Sequence, residues 1–302
     1  MIPLELEKIE KRVKLETELK EYKGDDRIVW AEDKRLEIEE EKKLTPPFRA
    51  MSGLTSLDDC LQGFRKGQLI VVSGPPKHGK TAFCQTLTKH FIAKEHKVLW
   101  LPYELTYEEM FDKFPLEKMD FTIPNYMQSG NLDWVEKRII ESIQKHGTEI
   151  VFIDHLDFLR DPDVMRGISL NFASYVGGIV QRIKSIAVQN KLIIFLMTHI
   201  RKNKWTSKDL PSSEELRDTG QIAQLADIVL MIMRKRAEKD AREIYEGTRA
   251  TLGVMENRHN GKTPKIGLEL FDKEFKEAFY GQSYAESMSK SEEANTIEGF
   301  DF

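Results

Sequence analysis

A glycine-rich segment that ends in lysine and threonine is the strongest chemical signal in the chain. It fits the pattern G-x-x-x-x-G-K-[ST] at every fixed position and consists of Gly74, Pro75, Pro76, Lys77, His78, Gly79, Lys80 and Thr81. Glycines let backbone N–H groups wrap closely around phosphate oxygens, and the N-terminus of a following helix adds positive potential. The pattern predicts that Lys80 neutralises the β- and γ-phosphates of a nucleotide and that Thr81 places its hydroxyl on Mg²⁺.

Two carboxylates follow apolar runs and would complete a phosphoryl-transfer site. Asp154 ends the run Ile150–Asp154, and we expect it to hold the Mg²⁺ shell; an ordinary aspartate at a strand end is the alternative. Glu104 follows the run Val98–Pro102, and we expect it to orient the attacking water. The alternative for Glu104 is a carboxylate that caps a helix near Thr106.

Two further polar residues suit positions around the same nucleotide. His199 follows the next apolar run, where a neutral side chain could hydrogen-bond the γ-phosphate and report its loss; a purely structural histidine is the alternative. Arg258 ends a late strand and could reach a neighbouring subunit's nucleotide, or it could be an ordinary surface arginine. His155 and Asp157, which come after Asp154, are interpreted as loop residues.

Basic and aromatic residues alternate in one stretch, which starts just after His199. The stretch contains Arg201, Lys202, Lys204, Trp205 and Lys208, and it is followed by Arg217, Asp218 and Gly220. A loop of this kind beside the γ-phosphate could grip a DNA backbone and change position on hydrolysis. A solvated run of charge is the alternative.

The elements that must position these residues follow from the pattern of apolar residues between about 50 and 280. Short β-branched runs alternate with amphipathic stretches, which is typical of an α/β fold with a parallel sheet and crossover helices. We predict strands at Leu69–Ser73, Val98–Pro102, Ile150–Asp154, 192–198, 228–233 and 251–256. Helical stripes are predicted at Phe83, Leu87 and Phe91, at Val135, Ile139 and Ile143, and at Phe172, Val176, Val180, Ile183 and Ala187.

Composition limits the possible partners and compartments. The 302 residues carry 46 Lys and Arg against 50 Asp and Glu, so the net charge of -4 provides no global basic field for nucleic acid. DNA contacts must therefore be local. Two cysteines are too few for a four-ligand zinc ribbon, and no apolar run approaches the roughly 20 residues of a membrane span. We expect a cytoplasmic protein with no membrane partner.

Three regions of different composition divide the chain. Residues 1–46 are rich in Glu and Lys with a sparse apolar stripe, which predicts a charged helical arm that is either solvated or docked on a neighbour. Residues 47–280 form the predicted ATPase domain, and 281–302 form an acidic tail expected to be disordered. The tail ends in Phe300 and Phe302, which are either a docking peptide for a partner or an unselected chain end.

Together these segments resemble the helicase domain of DnaB-like replicative helicases, with most similarity to the branch of phage helicase-primases and mitochondrial replicative helicases. The resemblance covers about residues 50–280 and rests on the stretches 52–68, 103–105, 153–156, 197–199, 215–227 and 257–261. It implies a RecA-like P-loop NTPase core with a mostly parallel, twisted sheet flanked by helices. It also implies ATP and Mg²⁺ as cofactors and a homo-hexameric ring that moves 5′ to 3′ along single-stranded DNA in replication.

The same resemblance assigns roles to individual residues. It implies that Glu104 is the catalytic glutamate, that His199 is the phosphate sensor and that Arg258 is an arginine finger acting in trans. The DNA-gripping loop would contain Arg217, Asp218 and Gly220. Arg234 and Phe271 look like the pair that sandwiches adenine.

The chain also departs from the family pattern. Glu256 stands where the family usually has a lysine two residues before the finger, and neither a helical collar domain nor a zinc-bearing primase domain precedes residue 46. We therefore do not expect priming by this chain. The alternatives are a non-unwinding RecA-family ATPase, such as a filament-forming recombinase or a helicase loader, and a regulatory nucleotide switch. Replication polymerase, primase or single-strand-binding protein are the partners expected at the tail.

Overall fold

The computed structural model describes residues 2–24, 27–114, 117–167, 172–199, 220–234 and 248–278. The chain divides into two compact units, Met1–Phe48 and Arg49–Phe302. The first unit contains helices α1 (Ile2–Lys20) and α2 (Ala31–Leu44). No residue of α2 is buried, and ion pairs three or four residues apart link its charged side chains. Such exposed pairs contribute little stability each, about 0.3–0.5 kcal/mol.

The second unit is built on an eight-stranded sheet with the order β2-β3-β4-β1-β5-β6-β7-β8. The strands are β1 (Leu69–Ser73), β2 (Val98–Pro102), β3 (Ile150–Asp154), β4 (Ile193–Met197), β5 (Ile228–Arg234), β6 (Arg249–Asn257), β7 (Lys265–Phe271) and β8 (Glu274–Glu277). The first five strands of this order, β2, β3, β4, β1 and β5, pair in parallel. The remaining three strands continue the sheet in antiparallel pairs.

The predicted strands are all present, and the first three have the predicted bounds. They are found because each of them is a short, mostly apolar run that is buried on both faces of the sheet. Strands β7 and β8 were not predicted. In β7 charged residues and Gly267 alternate with apolar ones, and β8 is only four residues long, so neither contains a continuous apolar run.

Helices cover both faces of the sheet. The helices of this unit are α3 (Thr55–Leu61), α4 (Lys80–Ala93), α5 (Tyr107–Lys113), α6 (Leu132–His146), α7 (Pro162–Gly167), α8 (Phe172–Gln189) and α9 (Gly220–Leu225), with a 3₁₀ helix at Leu156–Leu159. On one face, α6 and α8 bury the predicted stripes against aliphatic residues of β1 to β4. On the other face, Phe91 of α4 packs on Phe152 and Phe195, whose rings stack 4.6 Å apart.

The layers explain why the edge of the sheet can carry polar chemistry. Side chains in the middle of the central strands are enclosed between helices, so only the strand ends leave the core. Among the described residues, no helix has both the length and the apolar composition needed to cross a membrane.

Candidate active site

The residues predicted to handle a nucleotide come together where the parallel strands end. The P-loop follows β1, Glu104 follows β2, Asp154 ends β3 and His199 follows β4. Parallel strands point their carboxyl ends to the same edge of the sheet, and ligands of open α/β sheets bind in the crevice outside that edge. The backbone N–H groups of Tyr103 and Glu104 both donate to the carbonyl oxygen of Asp154, at 2.8 and 3.2 Å, which ties the end of β2 to the end of β3.

The P-loop conformation requires glycine at both ends. Gly74 has a φ of 150°, and a Cβ there would lie 2.4 Å from the carbonyl oxygen of Ile232. Gly79 has a φ of 94° and precedes α4, and a Cβ there would lie 3.0 Å from the ring of Phe275. Any larger residue would therefore push the loop away from β5 and β8. The first turn of α4 follows Gly79 directly, and the N–H groups of a first helical turn have no partner within the helix, so they can bind an anion.

Lys80 points back into the loop rather than into solvent. Its ammonium donates to the carbonyl oxygens of Gly74 at 3.0 Å and Pro75 at 3.1 Å, and to Nδ1 of His199 at 2.8 Å. Burial lowers the pKa of Lys80 to about 8, against the partial compensation from Asp154 and Glu104. The buried cation thus lacks a full counter-charge, which an anionic ligand in the loop would supply.

Thr81 and Asp154 form a pair of oxygen ligands next to the loop. The Thr81 hydroxyl donates to Oδ2 of Asp154 at 2.9 Å. The other oxygen, Oδ1, is buried and has no hydrogen-bond partner among the described residues. Burial, with the nearby Glu104 charge, raises the pKa of Asp154 to about 7. A hydroxyl beside a carboxylate with one unused oxygen suits a hard divalent cation that prefers oxygen ligands.

Glu104 faces two imidazole rings across the crevice. Its Oε2 lies 3.8 Å from Nε2 of His155 and 4.0 Å from Nε2 of His199. An ammonium can only donate, so Nδ1 of His199 accepts from Lys80 and the neutral ring carries its proton on Nε2. Burial, reinforced by Lys80, lowers the pKa of His199 to about 4, which keeps this ring neutral at physiological pH.

The same group of three side chains has the composition of a metal site, since its ligand atoms all lie within 4.8 Å of one another. The positions of the protons argue against that use. Nδ1 of His155 accepts the backbone N–H of Asp157 at 3.2 Å, so this ring also carries its proton on Nε2. Both rings therefore present N–H donors to Glu104, and the arrangement suits hydrogen bonding to a carboxylate instead of metal ligation.

The capping alternative for Glu104 is not realised. Thr106 caps α5, and its partner in the reciprocal capping box is Glu109: the Thr106 hydroxyl accepts from the Glu109 N–H at 3.2 Å. Glu104 lies outside this box with its side chain 42% exposed toward the crevice. His155, interpreted from sequence as a loop residue, is instead buried within the site. Its position directly after a strand-end aspartate was the signal that could have identified it.

Arg234 and Phe271 lie at the same edge, beside the P-loop. Arg234 ends β5, and its backbone N–H donates to Nδ1 of the buried His78 at 3.1 Å. Its Nε is buried without a hydrogen-bond partner among the described residues. Phe271 ends β7, and its ring is 67% exposed with Nζ of Lys276 5.2 Å from the centroid. A cationic plane and an exposed ring next to the loop are suited to stacking on a planar group.

Arg258 lies at the opposite edge of the sheet from the P-loop. Strand β6 runs antiparallel to β5, so its last residue, Asn257, pairs with the first residue of β5, Ile228. The five residues of β1, at about 3.3 Å each, separate the two edges by roughly 16 Å. This exceeds the reach of an arginine side chain, so Arg258 cannot contact the P-loop of its own chain.

Backbone and side-chain contacts fix Arg258 at this edge. Its N–H donates to the carbonyl oxygen of Asp227 at 3.0 Å, and its exposed guanidinium donates to the carbonyl oxygen of Gln224. The Asp227 carboxylate accepts the N–H of Leu69 at 2.7 Å and the ammonium of Lys184 at 2.5 Å. The first residue of β1 and Arg258 are therefore anchored to the same aspartate.

Most of the predicted DNA-binding residues lie outside the part of the chain that the structure describes. These are Arg201, Lys202, Lys204, Arg217 and Asp218, and the tail 281–302 is also outside it. Gly220 is the first residue of α9.

The chain is similar in sequence to curated replicative DNA helicases. The chain is 25% identical over 262 residues to a probable replicative DNA helicase of Trieres chinensis, covering 76% of this chain and 56% of that protein. It is 24% identical over 253 residues to the replicative DNA helicase DnaB of Mycoplasma genitalium, covering 72% and 54%. The chain thus spans about half the length of the curated relatives it matches.

Solved structures show the same fold. One solved ATPase domain superimposes with a TM-score of 0.69 at 16% identity, covering 83% of this chain and 99% of that domain. A DnaB-like replicative helicase, solved in a study of its interactions with primase, gives a TM-score of 0.62 at 18% identity, covering 84% and 68%. The family model for the DnaB-like helicase C terminal domain matches residues 50–138 and 116–279. The chain therefore belongs to the DnaB-like helicase C-terminal domain family.

Proposed function

We propose that this chain is the motor of a replicative DNA helicase, which couples ATP hydrolysis to movement along single-stranded DNA. The observation that carries the proposal is the convergence of Lys80, Asp154 and Glu104 at one sheet edge. A phosphate-binding cation, a metal-binding carboxylate and a potential base are the parts that phosphoryl transfer to water requires. The names of the relatives and the family membership support the DNA-unwinding part.

The triphosphate of ATP would occupy the loop from Gly74 to Thr81. The Lys80 ammonium would exchange the carbonyl oxygens of Gly74 and Pro75 for phosphate oxygens, which offers the desolvated cation a full counter-charge. Thr81 and Asp154 would hold Mg²⁺, which neutralises charge on the β- and γ-phosphates when it is bound.

Glu104 would accept the proton of the attacking water, and His199 would sense the γ-phosphate. The neutral His199 ring presents its Nε2–H toward the crevice, and a neutral donor there can hydrogen-bond a phosphate oxygen. Its Nδ1 is bonded to Lys80, which itself would contact the phosphates. Loss of the phosphate would change both bonds, and His199 leads directly into residues 200–219, where the predicted DNA-binding stretch begins.

Completion of the site would require a second copy of the chain. Arg258 lies too far from its own P-loop to assist hydrolysis there, so a finger role requires a neighbouring subunit. Arg234 and Phe271 would hold the adenine from the same subunit as the P-loop. We propose a homo-hexameric ring in which each interface contains one ATP.

The DNA contacts would come from the segment between His199 and α9. Its proposed contacts with the phosphate backbone are Arg201, Lys202, Lys204, Arg217, Asp218 and Gly220. We propose further that the acidic tail recruits a replication polymerase, primase or single-strand-binding protein, and that the chain acts in the reducing cytoplasm, where Cys60 and Cys84 would stay free as they are here.

Strand displacement on a forked DNA duplex tests the proposal. We expect the parent chain to displace a strand with ATP and Mg²⁺. Glu104→Gln should bind ATP but lose both hydrolysis and displacement, since an amide cannot accept the proton of the water. A parent chain that hydrolyses ATP on single-stranded DNA without displacing any strand would contradict the helicase role. Unchanged turnover in Glu104→Gln would contradict the assignment of the base.

A further inference from the structure

His155 has an unusual position for a residue that follows a metal-binding carboxylate. Its side chain is 8% exposed, although it lies just beyond the end of β3, at the polar edge of the sheet. Its ring meets the ring of His199 edge to face, with 4.3 Å between the centroids. On its other side Nε2 points to the Glu104 carboxylate at 3.8 Å. His155 thus lies between the proposed base and the proposed sensor.

Several contacts determine the orientation of the His155 ring. Nδ1 accepts the N–H of Asp157 at 3.2 Å, which begins the 3₁₀ helix Leu156–Leu159. The ring also packs on Phe158, with 5.0 Å between the centroids. Because Nδ1 is used as an acceptor, the neutral ring has its proton on Nε2, the atom that faces Glu104.

The side chain of Glu104, in contrast, has few contacts that fix its position. Its side chain is 42% exposed and makes no hydrogen bond to another described residue. A flexible carboxylate must be confined before it can accept a proton from a water in a defined place, and confinement costs side-chain entropy. Two imidazole rings present donors to this carboxylate, with Nε2 of His155 at 3.8 Å and Nε2 of His199 at 4.0 Å.

The two rings are not equivalent in this respect. His199 is bonded to Lys80 and is the proposed γ-phosphate sensor, so its donor is committed when nucleotide is bound. His155 has no such second task, and its ring is fixed by the backbone of its own chain. Hydrogen bonds of an active site often tighten in the substrate complex, so the 3.8 Å between Nε2 of His155 and Oε2 of Glu104 is short enough to close to a hydrogen bond when substrate is bound.

We propose that His155 is a positioning residue for ATP hydrolysis, whose Nε2–H anchors the Glu104 carboxylate toward the attacking water while its ring supports His199. The inference rests on the proposed ATPase function, because it needs Glu104 to act as the base. It assigns to His155 no contact with nucleotide, metal or DNA. Its removal should therefore slow the chemical step and leave ATP binding unchanged.

Steady-state ATP hydrolysis by full-length His155→Leu and His155→Gln, stimulated by single-stranded DNA, tests this role. Leucine fills the space without a donor, and kcat should fall about 10- to 100-fold, the range expected for loss of one hydrogen bond to a charged group. KM for ATP and the affinity for a non-hydrolysable ATP analogue should stay within about twofold. Glutamine offers an N–H donor at a similar distance and should recover most of the rate. The exposed His146 at the end of α6 provides a control, and His146→Leu should match the parent.

A double-mutant cycle separates positioning from a purely structural role. In a Glu104→Asp background, the shortened carboxylate can still accept a proton but lies farther from His155, so His155→Leu should cause much less further loss of rate than it does in the parent. A full rate in His155→Leu, an equal defect in His155→Gln, or additive losses in the cycle would each overturn the proposal. Weakened binding of the ATP analogue would also overturn it, since that result indicates a disrupted loop. A parent chain without ATPase activity would instead contradict the proposed function.

Discussion

The ammonium of Lys80 lies 2.8 Å from Nδ1 of His199, so the lysine of the P-loop and the residue after β4 share a hydrogen bond. Two strands that are neighbours in the sheet, β1 and β4, bring them together. The bond joins the part of the site that would hold phosphate to the part of the chain that would lead to DNA. Its lysine is therefore the first target for mutation.

Lys80→Ala should abolish ATP hydrolysis while the domain stays folded. The ammonium would stabilise charge on the transferring phosphoryl group, but it makes only polar contacts, with Gly74, Pro75 and His199. Turnover and thermal unfolding should be measured together. Lys94→Ala, at the residue that follows the far end of α4, is a matched control and should keep the parent's rate. Normal turnover in Lys80→Ala would refute the site assignment.

The burial of Lys80 also predicts a pH dependence of stability in the nucleotide-free protein. The pKa is about 8 in the folded chain against 10.5 for an ordinary exposed lysine, so between these values the unfolded state binds more protons. The free energy of unfolding of the parent should therefore rise with pH in this window relative to Lys80→Met, by up to about 3 kcal/mol. Denaturant titrations of both proteins at about pH 7.5 and about pH 10.5, on either side of this window, would measure it. If the difference in the free energy of unfolding between the parent and Lys80→Met is the same at both pH values, Lys80 is solvated in the folded chain.

Arg258→Ala should lower DNA-stimulated turnover by about 10³-fold or more without changing nucleotide affinity of the isolated subunit. The reason is its location on the edge opposite to its own P-loop. Lys262→Ala removes an exposed charge from the same edge and should have little effect. Mixing Arg258→Ala with Lys80→Ala chains is a further check, since some interfaces would carry both defects and others neither. Full activity of Arg258→Ala alone would place the finger elsewhere.

Phe271→Ala should weaken ATP binding about tenfold and leave the affinity for inorganic tripolyphosphate unchanged, because stacking acts on the base alone. The ring is 67% exposed, so its removal should not lower the melting temperature appreciably. Tyr126→Ala removes another aromatic ring, 62% exposed, and serves as the control. Calorimetric titration of the parent and both variants with ATP and with tripolyphosphate would measure these affinities. Equal losses for ATP and tripolyphosphate would indicate damage to the P-loop instead of loss of stacking.

Deletion of Gly299–Phe302 should leave ATP hydrolysis on single-stranded DNA intact but weaken unwinding that is coupled to the cognate polymerase. Two aromatic residues in an acidic segment suit a docking peptide, in which Phe302 enters an apolar pocket and the carboxylates meet basic residues of the partner. The difference between the two chains should be largest at low salt and should shrink as salt is added, because screening weakens the carboxylate contacts that only the full-length chain makes. Equal coupled activity of full-length and truncated chains at low salt would remove this role.

The strands and the P-loop were predictable because local sequence determines them. Short apolar runs define β1 to β3, and the spacing of Gly74, Gly79 and Lys80 admits few other interpretations. The role of His155 could not be predicted in the same way. Its surroundings come from the ends of β2 and β4, which are distant in sequence, and its proton position depends on the backbone of Asp157.

The location of Arg258 was equally inaccessible from sequence. An apolar run predicts a strand but not its direction in the sheet, and only the reversal between β5 and β6 places Arg258 opposite to the P-loop. The last two strands were missed for a related reason. Their stability comes from pairing and from burial of Phe275 against α4, where its N–H donates to Thr86 at 2.9 Å, and neither contact leaves a local pattern.

Asp227 connects Arg258 to the P-loop through strand β1. It joins the backbone of Arg258 to the first residue of β1, and β1 leads without interruption through five buried residues to Gly74. Close-packed interiors have low compressibility and transmit strain. If a neighbouring subunit displaces Arg258, β1 would therefore transmit most of that displacement to the P-loop. In the proposed hexameric ring, a movement of one subunit would therefore change the nucleotide site of its neighbour.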